Sequence, residues 1–253
     1  TGIGVGVNSL LSKSLGEGNQ ERANRAAGNG IILTLILVVG FMLFGAFGTE
    51  SYYSVFGAND RTTQYGISYT SICSLFTLGI FVEVLGERLL QATGRTVYSM
   101  IGQTAGAVTN IVMDPVFIFG VPALGIPAMG IAGAAIATVV GQWVGAVIVW
   151  FFNFKKNPDV HLGLKYLKLR KEVVGPILTV GIPSIVMNSI GSFMNFSMNQ
   201  ILQGFQETAT GVFGIYFKLQ SFFFMPLFGL NNATISVIAF NYGARKPERI
   251  VKT

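Results

Sequence analysis

The sequence predicts an all-α, polytopic helical-bundle membrane protein, and three observations carry that prediction. Of its 253 residues, 51% are hydrophobic and only 11% charged, where soluble domains carry about 25% charged residues. The apolar residues gather into six segments, each reaching the roughly 20 residues that a hydrocarbon core of ~30 Å requires. Lys and Arg fall on alternate loops between those segments, as the positive-inside rule demands. The net charge of +6 is therefore a matter of topology and implies no nucleic-acid partner. Glycine at 32 and phenylalanine at 21 suit close helix packing within lipid. With Cys73 the one cysteine, neither a disulfide nor a thiolate metal cluster can form within the chain.

Taken in order, residues 1–15 (TGIGVGVNSLLSKSL) are too short to span and read as the tail of a helix already under way. With Thr1 an unusual start, the chain reads as part of a longer one. Residues 16–29 form a polar loop, and 30–48 are the first complete span. Residues 49–64, with Glu50, Asp60 and Arg61, are expected as a loop, and 65–90 as the second span. The third span is 98–120, closed by the Pro/Gly turn VPALGIPA, and the fourth is 129–152. A basic linker (FKKNPDVHLGLKYLKLRKE) leads to the fifth span, 174–204, and the sixth, 211–240. The polar, basic NYGARKPERIVKT follows.

One set of loops holds Lys13, Arg22 and Arg25; Arg88 and Arg95; Lys155, Lys156, Lys165, Lys168, Arg170 and Lys171; and Arg245, Lys246, Arg249 and Lys252. The other set holds Arg61 alone. Loops 16–29, 91–97, 155–173 and 241–253 are thus expected on the cytoplasmic side of a cell membrane. The same comparison exposes a repeat. Ser9, Gly16, Glu21 and Arg22 recur at Ser236, Gly243, Glu248 and Arg249, each 227 positions later (16 to 243, for example). Six spans separate the copies, so both face one side, which implies parallel repeats related by an axis along the membrane normal.

The chemistry concentrates in QTAGAVTNIVMDPVFIFG, residues 103–120. Asp114 lies four residues after Asn110, so both point from one helical face. A carboxylate in hydrocarbon costs about 2.5–3.5 kcal/mol on insertion scales, and such residues mark ion or proton paths. The competing reading is a polar patch that glues helices together. Pro115 follows at once and loosens the local backbone hydrogen bonding. Asn188, Ser192, Asn195 and Asn199 form one stripe, suited either to lining a wet cavity or to interhelical glue. Gly133, Ala137, Gly141 and Gly145 repeat every four residues, a pattern read as packing rather than chemistry. Glu83 and Glu87 share a face, with Glu87 and Arg88 read as an interface anchor and Glu83, deeper, as a proton or substrate group. Lys218 lies within the sixth span, facing the cavity to pair with a carboxylate or snorkelling outward. His161, in the basic linker, reads as solvated. No ATP-cradling GxxxxGK[ST] loop, HExxH or CxxC occurs, and no catalytic spacing of Ser, His and Asp points to an enzyme.

The paired G-x4-ER loops, ERLLQATGRT (87–96), NIVMDPVFIFG (110–120), MGIAGAAIATVVGQ (129–142) and FKLQSFFFMPLFGLNN (217–232) together resemble the MATE (multidrug and toxic compound extrusion) transporters, most closely their MepA-like bacterial branch. The resemblance covers essentially the whole chain, as the end of helix two to helix eight of twelve. It implies residues 1–154 as part of an N-terminal half, 155–173 as a cytoplasmic linker, and 174–253 as the start of a C-terminal half. It also implies a multidrug efflux antiporter that exchanges organic, cationic compounds for H⁺ or Na⁺, without a cofactor, as a monomer in membrane lipid and a source of antibiotic resistance. By the resemblance, Asp114, Asn110 and Thr138 match the family's ion-coupling residues, with Na⁺ the only metal the first two would hold. Asn188, Asn195, Asn199, Glu83, Lys218 and Gln103 are the candidates for the substrate cavity. Another branch places acidic residues on helix seven, and residues 174–204 contain none. The alternatives are a lipid-linked precursor flippase, which would need a cavity rich in Arg and Lys, and a membrane-embedded enzyme, which would need convergent His and Asp.

Overall fold

The computed structural model describes residues 2–54, 60–122, 125–204 and 207–253. They fold into ten α-helices: α1 (Gly2–Gly16), α2 (Gln20–Phe47), α3 (Thr49–Ser54), α4 (Asp60–Leu75), α5 (Leu78–Ala92), α6 (Thr96–Phe119), α7 (Gly130–Lys156), α8 (Lys171–Gln203), α9 (Glu207–Gly243) and α10 (Pro247–Val251). The helices group into two compact units, Thr1–Ala26 with Arg170–Thr253, and Ala27–Leu169.

In the first unit, α1 packs on α8 and α9 through glycines that let backbones touch. A methyl at Gly6 would overlap the Ile177 backbone, and one at Gly181 would sit 3.0 Å from the Gly2 carbonyl. Val7, Leu11 and Ile177 are wholly buried there. Asn8 accepts hydrogen bonds from Ser12 Oγ (3.1 Å) and Ser236 Oγ (2.9 Å), so its buried amide oxygen is satisfied.

The sequence repeat is reproduced bond for bond. At the end of α1, the amides of Glu17, Gly18 and Asn19 donate to the carbonyls of Lys13, Leu15 and Ser14. At the end of α9, those of Ala244, Arg245 and Lys246 donate to Phe240, Tyr242 and Asn241, the same three bonds at the same offset. The crossed pair of bonds is a Schellman cap, which needs a left-handed residue. Gly18 (φ 71°) supplies it in the first copy and Arg245 (φ 54°) in the second. The next helix starts at Gln20, where Asn19 Oδ1 caps the Arg22 amide (3.0 Å), and at Pro247 in the second copy, proline being preorganised for a first turn. The polar loop expected over 16–29 is thus only a tight turn, because the charged residues after Asn19 lie on the first turns of α2.

In the second unit, α6 and α7 form the most extensive helix pair, with α5 and α4 against α7. Gly106 and Gly141 face each other: a methyl on either would lie 2.9 or 2.7 Å from the other's carbonyl oxygen. Trp143 crosses Gly79 on α5, 3.1 Å from where a Cβ would be. The linker after α7 is pinned by Asn153, whose Nδ2 donates to the carbonyls of Gly86 (2.9 Å) and Val149 (3.0 Å), and by Asn157, which donates to Asn153 Oδ1 (3.1 Å). Arg95 then pairs with Asp159 and donates to Asn157 Oδ1 (3.2 Å).

Three expectations about the spans change. The second is not one straight helix: 63–75 and 78–92 are bent by 54° at Phe76–Thr77. The expected loop 49–64 contains α3 and the start of α4, joined by Thr49–Ser71 (3.0 Å) and Tyr53–Thr70 (2.9 Å) hydroxyl pairs; residues 55–59 of that loop, like 123–124 of the Pro/Gly turn, lie outside the described residues. Among the described residues, four helices are long and apolar enough to cross a membrane, or five with the bent pair. α6 is not among them, since Gln103, Thr104, Thr109, Asn110 and Asp114 interrupt its apolar run, although at 24 residues and ~1.5 Å per residue it has the length.

Candidate ion-coupling site

Glycines on α6 and α7 leave a cavity of about 270 Å³ between those helices and α5. Its polar lining is Glu83 and Glu87 from α5, Gln103 and Asn110 from α6, and Thr138 and Gln142 from α7. Of the sequence-predicted residues, Asn110, Asp114 and Thr138 come together, Asn110 and Thr138 lining the cavity and Asp114 one turn beyond Asn110. Asn110 Nδ2 donates to Asp114 Oδ1 at 3.4 Å and to Thr138 Oγ1 at 3.5 Å. Thr138 donates its own proton to the Ala134 carbonyl (3.0 Å), so its oxygen is left to accept. Tyr69 on α4 stands 3.4 Å from that oxygen and is the donor in that contact. All three candidates are half-buried, shielded enough to strengthen electrostatics yet open to an ion. The helix runs unbroken through Pro115.

Glu83 and Gln103 reach the same cavity. Glu83 is 7% exposed, and its carboxylate lies flat on the backbone of α7 at Gly145, where any added methyl would overlap it. On the other side it borders α6 at Gly106, where Oε1 would be in ordinary contact, 3.5 Å, with an added Cβ. The Gly133–Gly145 stripe therefore does more than pack helices: its last member makes room for a charged group. Glu87 is another residue that the sequence reading placed elsewhere. Rather than anchoring at the interface it is 4% exposed. It accepts from Gln103 Nε2 (2.9 Å), and its Oε1 is buried without a hydrogen-bond partner among the described residues. Arg88, also buried, donates to Gln91 Oε1 (2.9 Å). The four-residue spacing of Glu83 and Glu87 was the available signal for Glu87, whereas nothing in the sequence singles out Tyr69.

The remaining candidates belong to the other compact unit. Asn188, exposed, donates to the Ser184 carbonyl (2.7 Å), while Asn199 donates to Asn195 Oδ1 (2.8 Å) with both half-buried. Lys218 is exposed on α9. Among the described residues, no group of three or more His, Cys, Asp or Glu could hold a metal ion.

The MatE family profile matches residues 1–116 and 183–253. The multidrug export protein MepA of Staphylococcus saprophyticus is 26% identical over 244 residues, which cover 96% of this chain and 53% of that protein. A crystal structure of MATE in the straight conformation superposes with a TM-score of 0.88 at 27% identity, over 99% of this chain and 55% of that one. An outward-facing multidrug resistance MATE family transporter of the MOP superfamily gives 0.87 at 28% identity, over 99% and 55%. The chain spans about half the length of these relatives.

Proposed function

This chain belongs to the MatE family, and from that membership we propose that the protein containing it is a secondary active multidrug exporter driven by H⁺ or Na⁺. The observation that carries the reading is the Asp114–Asn110–Thr138 cluster, one carboxylate, one carboxamide and one hydroxyl brought together from α6 and α7. Such a donor set holds a proton or a small hard cation and needs no cofactor. The similarity to MepA supports export as the direction of transport. Organic cations are the proposed substrates, small enough to be carried by one monomer in lipid, and Asn188, Asn195, Asn199 and Lys218 are the proposed substrate-cavity groups.

The coupling follows from charge. With Asp114 ionised, Asn110 turns its amide protons toward the carboxylate; with a cation or proton bound, that pull is gone. The two charge states favour different packings of α6 on α7, and the bound ion shifts the balance between cavity-open states. Two six-helix halves, repeated as the Gly16 and Gly243 loops are, would then alternate access. The basic loops face the cytoplasm in this reading.

The test is export of ethidium from cells expressing the full-length protein, with the proton gradient and external sodium varied separately. Gradient-driven export should fall to background in Asp114→Asn, and the ion required names the coupling. Unchanged coupled export by that variant, at normal expression, would overturn the assignment.

A further inference from the structure

We infer that Glu83 and Glu87 form a second site, for one monovalent cation, in the cavity between α5, α6 and α7. The inference rests on the antiporter reading above and adds a cation to its cycle. Both carboxylates are on one face of α5, one helical turn apart, and both line the cavity. Neither is at a solvated helix end, their exposures being 7% and 4%. Two such charges together away from water are strongly unfavourable unless something lies between them.

The protein supplies only part of the compensation. Among the described residues, the helices packed on α5 contribute no charged side chain to this cavity: α6 offers Gln103 and Asn110, and α7 offers Thr138 and Gln142. Asp114, one turn beyond Asn110, adds only negative charge. Arg88, the residue after Glu87 on α5, brings one positive charge. Two carboxylates and one guanidinium leave one negative charge, which a single proton or Na⁺ cancels. The Gln103 amide satisfies one side of Glu87, and a cation toward Glu83 supplies the partner that the buried Oε1 lacks. Gly145 is what leaves room for Glu83 there, since a side chain at that position would occupy the place of its carboxylate. Asn110 touches the Asp114 cluster and lines this cavity as well, so the two sites share a wall and a cation leaving one is felt at the other.

The experiment counts cations on purified full-length protein in nanodiscs. Proton release on adding ethidium is read in weakly buffered, sodium-free solution, and bound ²²Na⁺ is counted in parallel at fixed pH. Wild type should release two cations per protein, counting both species. Glu83→Gln, Glu87→Gln and Asp114→Asn should each release one, and Glu83→Gln with Asp114→Asn none. Which arm registers the loss distinguishes proton from sodium at the second site. A wild-type count of one overturns the proposal without any variant, as does a count of two in the folded Glu83→Gln protein. In either case a loss of one at Asp114→Asn leaves the antiporter reading in place; a wild type that releases no cation removes both.

Discussion

Two helix contacts in this molecule are built on the same device and used in opposite ways. Where α1 meets α9, Gly16 lies against the Phe240 carbonyl and Gly243 against the Lys13 carbonyl. Each glycine serves the equivalent atom of the other repeat, so the contact is its own mirror under the repeat operation. Where α7 meets α5, Gly145 lies against the Glu83 carboxylate. One missing side chain admits a backbone and makes a joint, while the other admits a charge and makes a site. Glycine spacing in a membrane helix announces close approach, but what approaches decides whether the position carries structure or chemistry.

The joint should be the costlier place to intrude. Gly16→Ala and Gly243→Ala each drive a methyl into backbone, which cannot swing aside, and each should destabilise by about 1–3 kcal/mol, the usual range for overpacking. Thermal unfolding of the purified full-length variants measures this, and the two shifts should be similar. If one variant falls well below wild type and the other does not, the equivalence of the two loops is broken despite their matching hydrogen bonds.

Within α7 itself the comparison sharpens. Gly133 faces the Phe117 backbone and Gly145 faces Glu83, yet the two sit on one stripe of one helix. Gly133→Ala should lower the unfolding temperature and leave the number of released cations unchanged. Gly145→Ala should do less to stability, because a side chain can move where a backbone cannot, and should take one cation from the count. The reverse pattern would mean that Gly145 only packs and that Glu83 has its place for another reason.

Most of the helices were legible from apolar runs, and the loop repeat from four matching residues, because hydrophobic periodicity and caps are local properties. The kink at Phe76–Thr77 was not, since no proline marks it and Gly79, two residues on, read as one more glycine of an apolar span until α4 and α5 were seen packed on α7. Residues 49–64 read as loop because they are polar, whereas the hydroxyl pairs Thr49–Ser71 and Tyr53–Thr70 give those polar groups partners on a neighbouring helix. The Asp114–Asn110 pair was visible as a single-helix spacing, and Thr138 joined it through the family resemblance. Glu87 was misread and Tyr69 missed for the same reason: each role depends on a partner from another helix, Gln103 in one case and Thr138 in the other. Arg245 shows the limit of a repeat alignment, holding a left-handed backbone where the first copy has the expected glycine.

The smallest effect belongs to a glycine that faces nothing. Gly40 lies on α2 with no atom of the described structure within 4 Å of an added Cβ, beside the exposed Val39 and Phe41. Neither use of glycine found above applies there, so Gly40→Ala should stay within about 0.5 kcal/mol of wild type. Alanine's better helix propensity, worth up to about 1 kcal/mol in water, points toward slight stabilisation. Unfolding temperatures of Gly40→Ala and Gly16→Ala, taken side by side, test the rule that joins these cases. If both fall equally, something covers Gly40 in the full-length protein, and the face of α2 that carries it is a helix contact rather than a lipid one.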